Sequence, residues 1–368
     1  MLKIAFRVDS SSQIGTGHVV RCLTLADALR EIGAECQFVC REHEGHLMDH
    51  IWDRGYAVCA LPKTREEVSV EPDLAHSHWL EVDWQTDAMQ TCHGVGTEIL
   101  DWIIVDHYAL DHRWETALRS SCRRIMVIDD LADRQHDCDL LLDQNCGSSA
   151  ARYLGLVPRV CVQRHGPEFA LLKPVYSELR AQMRARDGQV RRALIYFGGS
   201  AAIVNLLSMA VQAFQAAELA HIELDIIVGA AYVPGSSLEE LVAQRGNAKI
   251  HRQLPDLANL MATADLAIGA GGATTWERCC LGLPSILVVC AINQAEIGKA
   301  IGKLGAGVVV YPNANLASII REQIVVLTND TEKYLQMSHR AAHICDGLGV
   351  SRVSKEIISM SNAFAYAC

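Results

Sequence analysis

The chain has 368 residues, half of them apolar and 21% charged, with a formal net charge of −10. That length suits two ordinary domains. The acidic balance excludes a general nucleic-acid binder, which needs a basic stripe, but not an anionic ligand, because backbone amides hold anions without formal charge.

The first residues run directly into an apolar strand at 2–8, without the long apolar core and cleavage site of a secretory leader, and no apolar run approaches bilayer length. A cytoplasmic chain that uses no membrane is expected. After the strand comes a polar, glycine-containing loop. Apolar residues then recur at Cys22, Leu23, Ala26 and Leu29, the spacing of a buried helix face. Further strands are expected at 35–41, 102–106, 124–130 and 138–143. Such short, continuous apolar runs suit a parallel sheet covered on both faces, and several end in Asp or Gly, at the edge where such sheets bind ligands.

Residues 146–192 change character: loop signals surround Pro158 and Pro167, and the basic 180–192 stretch reads as a solvated helix and linker. A second series follows, with strands at 192–197, 222–228, 249–253, 265–269 and 285–289, a helix at 204–217, and mostly helix from about 315. The division expected is an N-terminal Rossmann-like domain over 1–165, a linker over 166–190 and a C-terminal Rossmann-like domain over 191–368. The 14 cysteines are scattered with no Cys-x-x-Cys pair, as small buried hydrophobes are.

Three loops carry candidate chemistry. In the first, Gly15 and Gly17 allow a tight turn and His18 opens a helix. The positive end of the helix dipole disfavours imidazolium, so His18 is expected to be uncharged, the form a general base needs. Arg21, one turn on, could meet a phosphate or a carboxylate. The plainer reading is a tight turn followed by a surface histidine. Val20 breaks the dinucleotide pattern Gly-x-Gly-x-x-Gly, which argues against an NAD enzyme. In the second loop, Gly198, Gly199 and Ser200 end a strand and could form a phosphate nest or merely turn the chain. The third, with Gly269, Gly271, Gly272, Thr274 and Thr275, suits a diphosphate at a helix start. Glu277 would bond ribose hydroxyls or simply favour the dipole, and Asn293 and Gln294 would bond sugar hydroxyls or cap a helix. Asp106 to Tyr108 and the pair Asp129 and Asp130 lie at strand ends, where Asp residues work as acids and bases, hold a cation or fix loops. His46 and His50 have zinc-like helix spacing but no evident third ligand.

These residues resemble a known family. The stretch from Val8 to Cys22, and then Trp84 to Ala88, Val105 to Asp111, Ile128 to Arg134, Leu142 to Asn145 and Thr274 to Pro284, are similar in order to the nucleotide-sugar hydrolases of pseudaminic acid biosynthesis. The resemblance implies an α/β, GT-B architecture: two Rossmann-like domains with parallel sheets facing across a cleft, similar to the glycosyltransferase that builds lipid II. It implies metal-independent, cofactor-free hydrolysis of a UDP-linked 2,4-diacetamido-2,4,6-trideoxy sugar with anomeric inversion. The family's catalytic His falls on His18 and its active-site Tyr on Tyr108. UDP would lie along Gly198, Gly199, Ser200, Leu254, Gly272, Thr274, Thr275 and Glu277. Two departures stand out: Ala201 and Ala202 follow Gly-Gly-Ser where Asp is common, and Ile292 precedes Asn-Gln where an acid is usual. A glycosyltransferase on the same fold and a non-catalytic nucleotide-sugar binder are the competing readings; oligomeric state is not legible.

Overall fold

The computed structural model describes residues 1–63, 74–198, 203–229, 232, 234–235, 237–252, 254, 256–291 and 294–365. The chain divides into two units: Met1–Leu171 together with the segment from Leu348, and Leu172–Gly347.

In the first unit, β1 (Lys3–Val8) lies between β2 (Glu35–Arg41) and β4 (Leu100–Asp106). The sheet continues to β3 (Ala57–Leu61) on one side and to β5 (Cys122–Ile128), β6 (Leu140–Asp143) and β7 (Val162–His165) on the other. The described strand pairs are parallel. The central strands are buried on both faces, which is why they read as unbroken apolar runs rather than as alternation. One face carries α1 (Gly17–Glu31) and the C-terminal helix α13 (Gly349–Ala365), around Phe6, Phe38, Leu29 and Val353. The other carries α3 (Trp84–Val95) and α4 (His112–Leu118), around Ile103, Trp114 and Leu141.

In the second unit the strand order is the same over six strands. β8 (Arg192–Tyr196) lies between β9 (Glu223–Val228) and β11 (Leu266–Ala270), with β10 (Ala248–Arg252), β12 (Ser285–Val288) and β13 (Val308–Val310) outside. Order 3-2-1-4-5-6 is that of dinucleotide-binding sheets, and the strand order reverses beside β1 and beside β8.

The sequence boundaries differ from this division in two places. The last helix belongs to the first unit, where Val350, Val353 and Ile357 are buried and Arg164 pairs with Glu356 at 2.6 Å. Its first residue, Gly349, lies so close to the segment before Pro174 that a Cβ there would sit 2.3 Å from the Ala170 carbonyl oxygen. The expected linker holds α5 (Pro174–Gln182), part of the second unit. Its basic stretch is not simply solvated: Arg180 donates to the carbonyls of Cys280, Ala342 and Cys345, and Arg186 to those of Ala264 and Gly282. These carbonyls lie where helices end without internal partners. Burial pushes the Arg186 guanidinium down from its ordinary value.

Candidate active site

The first loop is a closed turn. The Ser11 carbonyl accepts from the Gly15 amide at 2.9 Å, and the Ser11 hydroxyl accepts from the amides of Gln13 and Ile14 at 3.1 and 2.9 Å. Gly15 has φ +82°, which a side chain would strain. The segment after β2 braces the turn: Ser12 N donates to the Glu44 carbonyl and Leu47 N to the Ser10 hydroxyl. Beneath it, Asp9 is fully buried and accepts from Arg7 Nη1 at 2.6 Å and from Arg41 N at 2.7 Å. Arg7 and Arg41 both reach Asp87. The start of α1 is thus fixed by a buried ionic network.

Gly17 and His18 open α1, as the sequence suggested. The His18 side chain is 11% exposed, and its Nδ1 lies 2.6 Å from Oδ1 of Asp106, the fully buried last residue of β4. Arg21, one turn along α1, donates to both oxygens of Asp106 at 2.6 Å each. Burial alone would raise the Asp106 carboxyl, but Arg21 and His18 outweigh it and hold the group well below the ordinary carboxylate range. An ionised Asp106 can only accept, so Nδ1 carries the donated proton and Nε2 of a neutral ring is left with its lone pair. Arg21 Nη2 also lies 3.3 Å from Nδ1, but two donors cannot bond each other, and the carboxylate takes both. Arg21 was a candidate for substrate contact; its guanidinium is committed to Asp106, and the residue is 8% exposed.

Tyr108 stands beside this pair. Its ring meets that of His18 edge to face, with centroids 4.8 Å apart at 85°. Its hydroxyl donates to Asp130 Oδ1 at 2.5 Å, and Asn145 donates to the other oxygen at 3.0 Å. Burial and the Asp130 charge push the phenol well above its ordinary value, so it stays protonated. Trp79, in the 3-10 turn Ser77–Leu80, stacks on the same ring at 5.5 Å, and His76 packs against both. Asp129 is separate from Asp130: it is buried with Arg134, Tyr153 and the Ala132 amide. Sequence reasoning noted Asp106 and Asp130 at strand ends without assigning either a partner. Trp79 and His76 gave no signal.

In the second unit, Gly198 has φ +111° where the chain leaves β8. Gly199, Ser200 and Asn293, like Ala201, Ala202 and Ile292, lie outside the described residues. Gly272 and Thr274 sit where β11 passes into α9 (Thr274–Cys280). Thr275 is turned away: it is 2% exposed, its hydroxyl accepts from buried Arg278 at 3.1 Å, and its amide donates to the Gly272 carbonyl. Glu277 accepts from the hydroxyl of Tyr176, and burial raises its carboxyl. The Gln294 side-chain carbonyl accepts from the amides of Gly271 and Cys290, tying the β11 and β12 loops together and leaving only its amide nitrogen for a ligand. Leu254 is 37% exposed. Among the described residues no three His, Cys, Asp or Glu side chains are grouped to hold a metal ion, and no helix is long and apolar enough to cross a membrane.

Residues 193–353 match the glycosyltransferase family 28 C-terminal domain. UDP-2,4-diacetamido-2,4,6-trideoxy-β-L-altropyranose hydrolase of Campylobacter jejuni is 29% identical over 186 residues, half of this chain and 57% of that protein. Spore coat polysaccharide biosynthesis protein SpsG of Bacillus subtilis is 20% identical over 96% of this chain and 97% of its own length. Among solved structures, MurG of Acinetobacter baumannii matches 98% of this chain and all of its own with a TM-score of 0.63 at 15% identity. A glycotransferase of kitacinnamycin matches 98% of each chain with a TM-score of 0.65 at 16% identity. Two parallel, alternating α/β units of these topologies, with these neighbours, give the chain the GT-B fold.

Proposed function

We propose that the protein acts on a nucleotide sugar, and that it hydrolyses a UDP-linked 2,4-diacetamido-2,4,6-trideoxy sugar to UDP and the free sugar with anomeric inversion. The observation that carries this reading is the Asp106–His18 pair: a buried carboxylate that holds one imidazole nitrogen and leaves the other able to take a proton. The hydrolase named among the relatives gives the substrate class.

His18 Nε2 takes a proton from water as the water oxygen bonds to C1. The C1–O bond to the diphosphate breaks on the opposite face, and its electron pair leaves with UDP. Glycosidases protonate a poor alkoxide leaving group with a second carboxyl group; UDP departs without one. What departure needs is stabilisation of charge growing on the β-phosphate. Backbone amides at Gly272 and Ala273 are the candidates for this, and one lost donor in such a site costs roughly 2.7–4 kcal/mol.

His18→Ala is expected to abolish turnover while UDP binding, measured by calorimetry, stays within about twofold. Strong residual hydrolysis by the variant would remove His18 from the role of base. The family 28 match favours a second reading, transfer of the sugar to another acceptor. Release of free sugar from a UDP-sugar with no acceptor present separates the two.

A further inference from the structure

The hydroxyl of Tyr108 has one hydrogen, and the structure commits it. It goes to Asp130 Oδ1 at 2.5 Å, while Asn145 holds Oδ2 and fixes the carboxylate plane. The ring itself cannot turn to another partner: it is 5% exposed, stacked by Trp79 on one contact and crossed by His18 on another. A phenol whose hydrogen is spent inward faces any ligand with lone pairs only. His18 is in the same condition for the same reason, since Asp106 takes its Nδ1 hydrogen and leaves Nε2 as an acceptor. Two carboxylates, at the end of β4 and just past the end of neighbouring β5, therefore prepare two acceptors, on rings whose centroids lie 4.8 Å apart.

Water is the small nucleophile that matches two acceptors, because it has two O–H bonds. We infer that Asp130 is a positioning residue that fixes Tyr108 as the second acceptor for the attacking water, so that His18 and Tyr108 each take one of its hydrogens and aim its lone pair. This rests on the hydrolytic reading above. In the step, only the hydrogen on His18 is transferred. The one on Tyr108 stays with the oxygen that bonds to C1, and Tyr108 remains a phenol throughout. The high proton affinity of the buried phenol agrees with that.

Methanol tests the arrangement because it has a single O–H. It can satisfy His18 but leaves the Tyr108 oxygen bare, so the wild-type enzyme should discriminate against it. With the UDP-sugar in a water–methanol mixture, the ratio of methyl glycoside to free sugar measures this directly. Tyr108→Phe is expected to raise the ratio by roughly two- to tenfold, the worth of one neutral hydrogen bond, and Asp130→Ala to raise it similarly. In Asp130→Ala/Tyr108→Phe the ratio should equal that of Tyr108→Phe alone. A purely structural role would lower the rate and leave the ratio unchanged. Asp130→Asn, which keeps the shape of the side chain, provides the measurement if the Ala variant does not fold, and should raise the ratio by less. An unchanged ratio in Tyr108→Phe overturns the inference while hydrolysis stands. A raised ratio in Tyr108→Phe with a wild-type ratio in both Asp130 variants removes Asp130 from the role. If the wild-type enzyme forms neither free sugar nor methyl glycoside, the hydrolytic reading falls, and this inference with it.

Discussion

Replacing Asp106 with Asn is the sharpest test of the proposed base. The carboxylate accepts from His18 at 2.6 Å and from Arg21 twice at 2.6 Å. An Asn carbonyl can keep one Arg21 contact, but its amide group then faces Nδ1 and donates to it. The imidazole proton moves to Nε2, and the atom that should accept from water becomes a donor. A comparable inversion of tautomer in a serine protease lowers kcat by about 10⁴, and a loss of roughly 10³–10⁴ is expected here. Arg21 also loses its counter-charge while 8% exposed, and breaking a buried pair costs about 3–5 kcal/mol. The assay must therefore separate chemistry from folding: kcat is compared at a temperature where the melting curve shows the variant fully folded. The decisive arm is the double variant His18→Ala/Asp106→Asn. If Asp106 acts only through His18, the second change adds almost nothing to the first. A single Asp106→Asn variant with more than about a tenth of wild-type kcat would refute the reasoning. So would losses that multiply in the double variant.

Two further outcomes follow from buried charge. Asp9, Asp87 and Asp106 are all held below their ordinary value, since nearby arginines and histidines outweigh the burial that would raise them. The unfolded chain takes up protons near pH 4, where the folded chain does not. Stability from these groups is then complete above about pH 5 and is lost as pH falls below it. The urea midpoint should drop between pH 6 and pH 4, and Asp87→Asn, much weaker at pH 6, should lose less over that interval; parallel curves would count against the network. Thr275→Val should cost about 1–2 kcal/mol by leaving an Arg278 donor unpaired, with UDP affinity changed by less than about threefold. A tenfold loss of UDP affinity at an unchanged melting temperature would return that hydroxyl to the ligand.

The sheet strands and the His18 helix were legible because parallel strands buried on both faces are continuous apolar runs with few competing patterns. The edge strands β3, β7 and β13 were not: one residue of β3, none of β7 and one of β13 is buried, so the two-sided burial that marks the inner strands is missing. Gly15, Gly17 and His18 could be read because glycine and helix starts leave local signatures. The partners of His18 and Tyr108 could not, because Asp106 is 88 residues from His18 and Asp130 is 22 from Tyr108. Nothing local marks which strand-end Asp will face which loop. Thr275 misled for the same reason: its spacing fits a phosphate loop, but a buried guanidinium three residues on takes its hydroxyl.

The choice between water and another acceptor turns on the attacking side of the reaction. UDP departs as a stable anion, so a hydrolase and a transferase need the same hold on the nucleotide, and the family 28 match in the second unit does not separate them. They differ in what must be activated. A single base serves any hydroxyl, so the Asp106–His18 pair is also neutral between them. Tyr108 is not neutral. With its hydrogen given to Asp130, it offers an acceptor that an isolated alcohol hydroxyl, its one O–H pledged to His18, cannot fill by itself. Leaving that oxygen bare in a desolvated complex costs free energy; a water molecule avoids the cost. If Tyr108 and His18 serve one nucleophile, as inferred above, the pair suits water better than a simple alcohol.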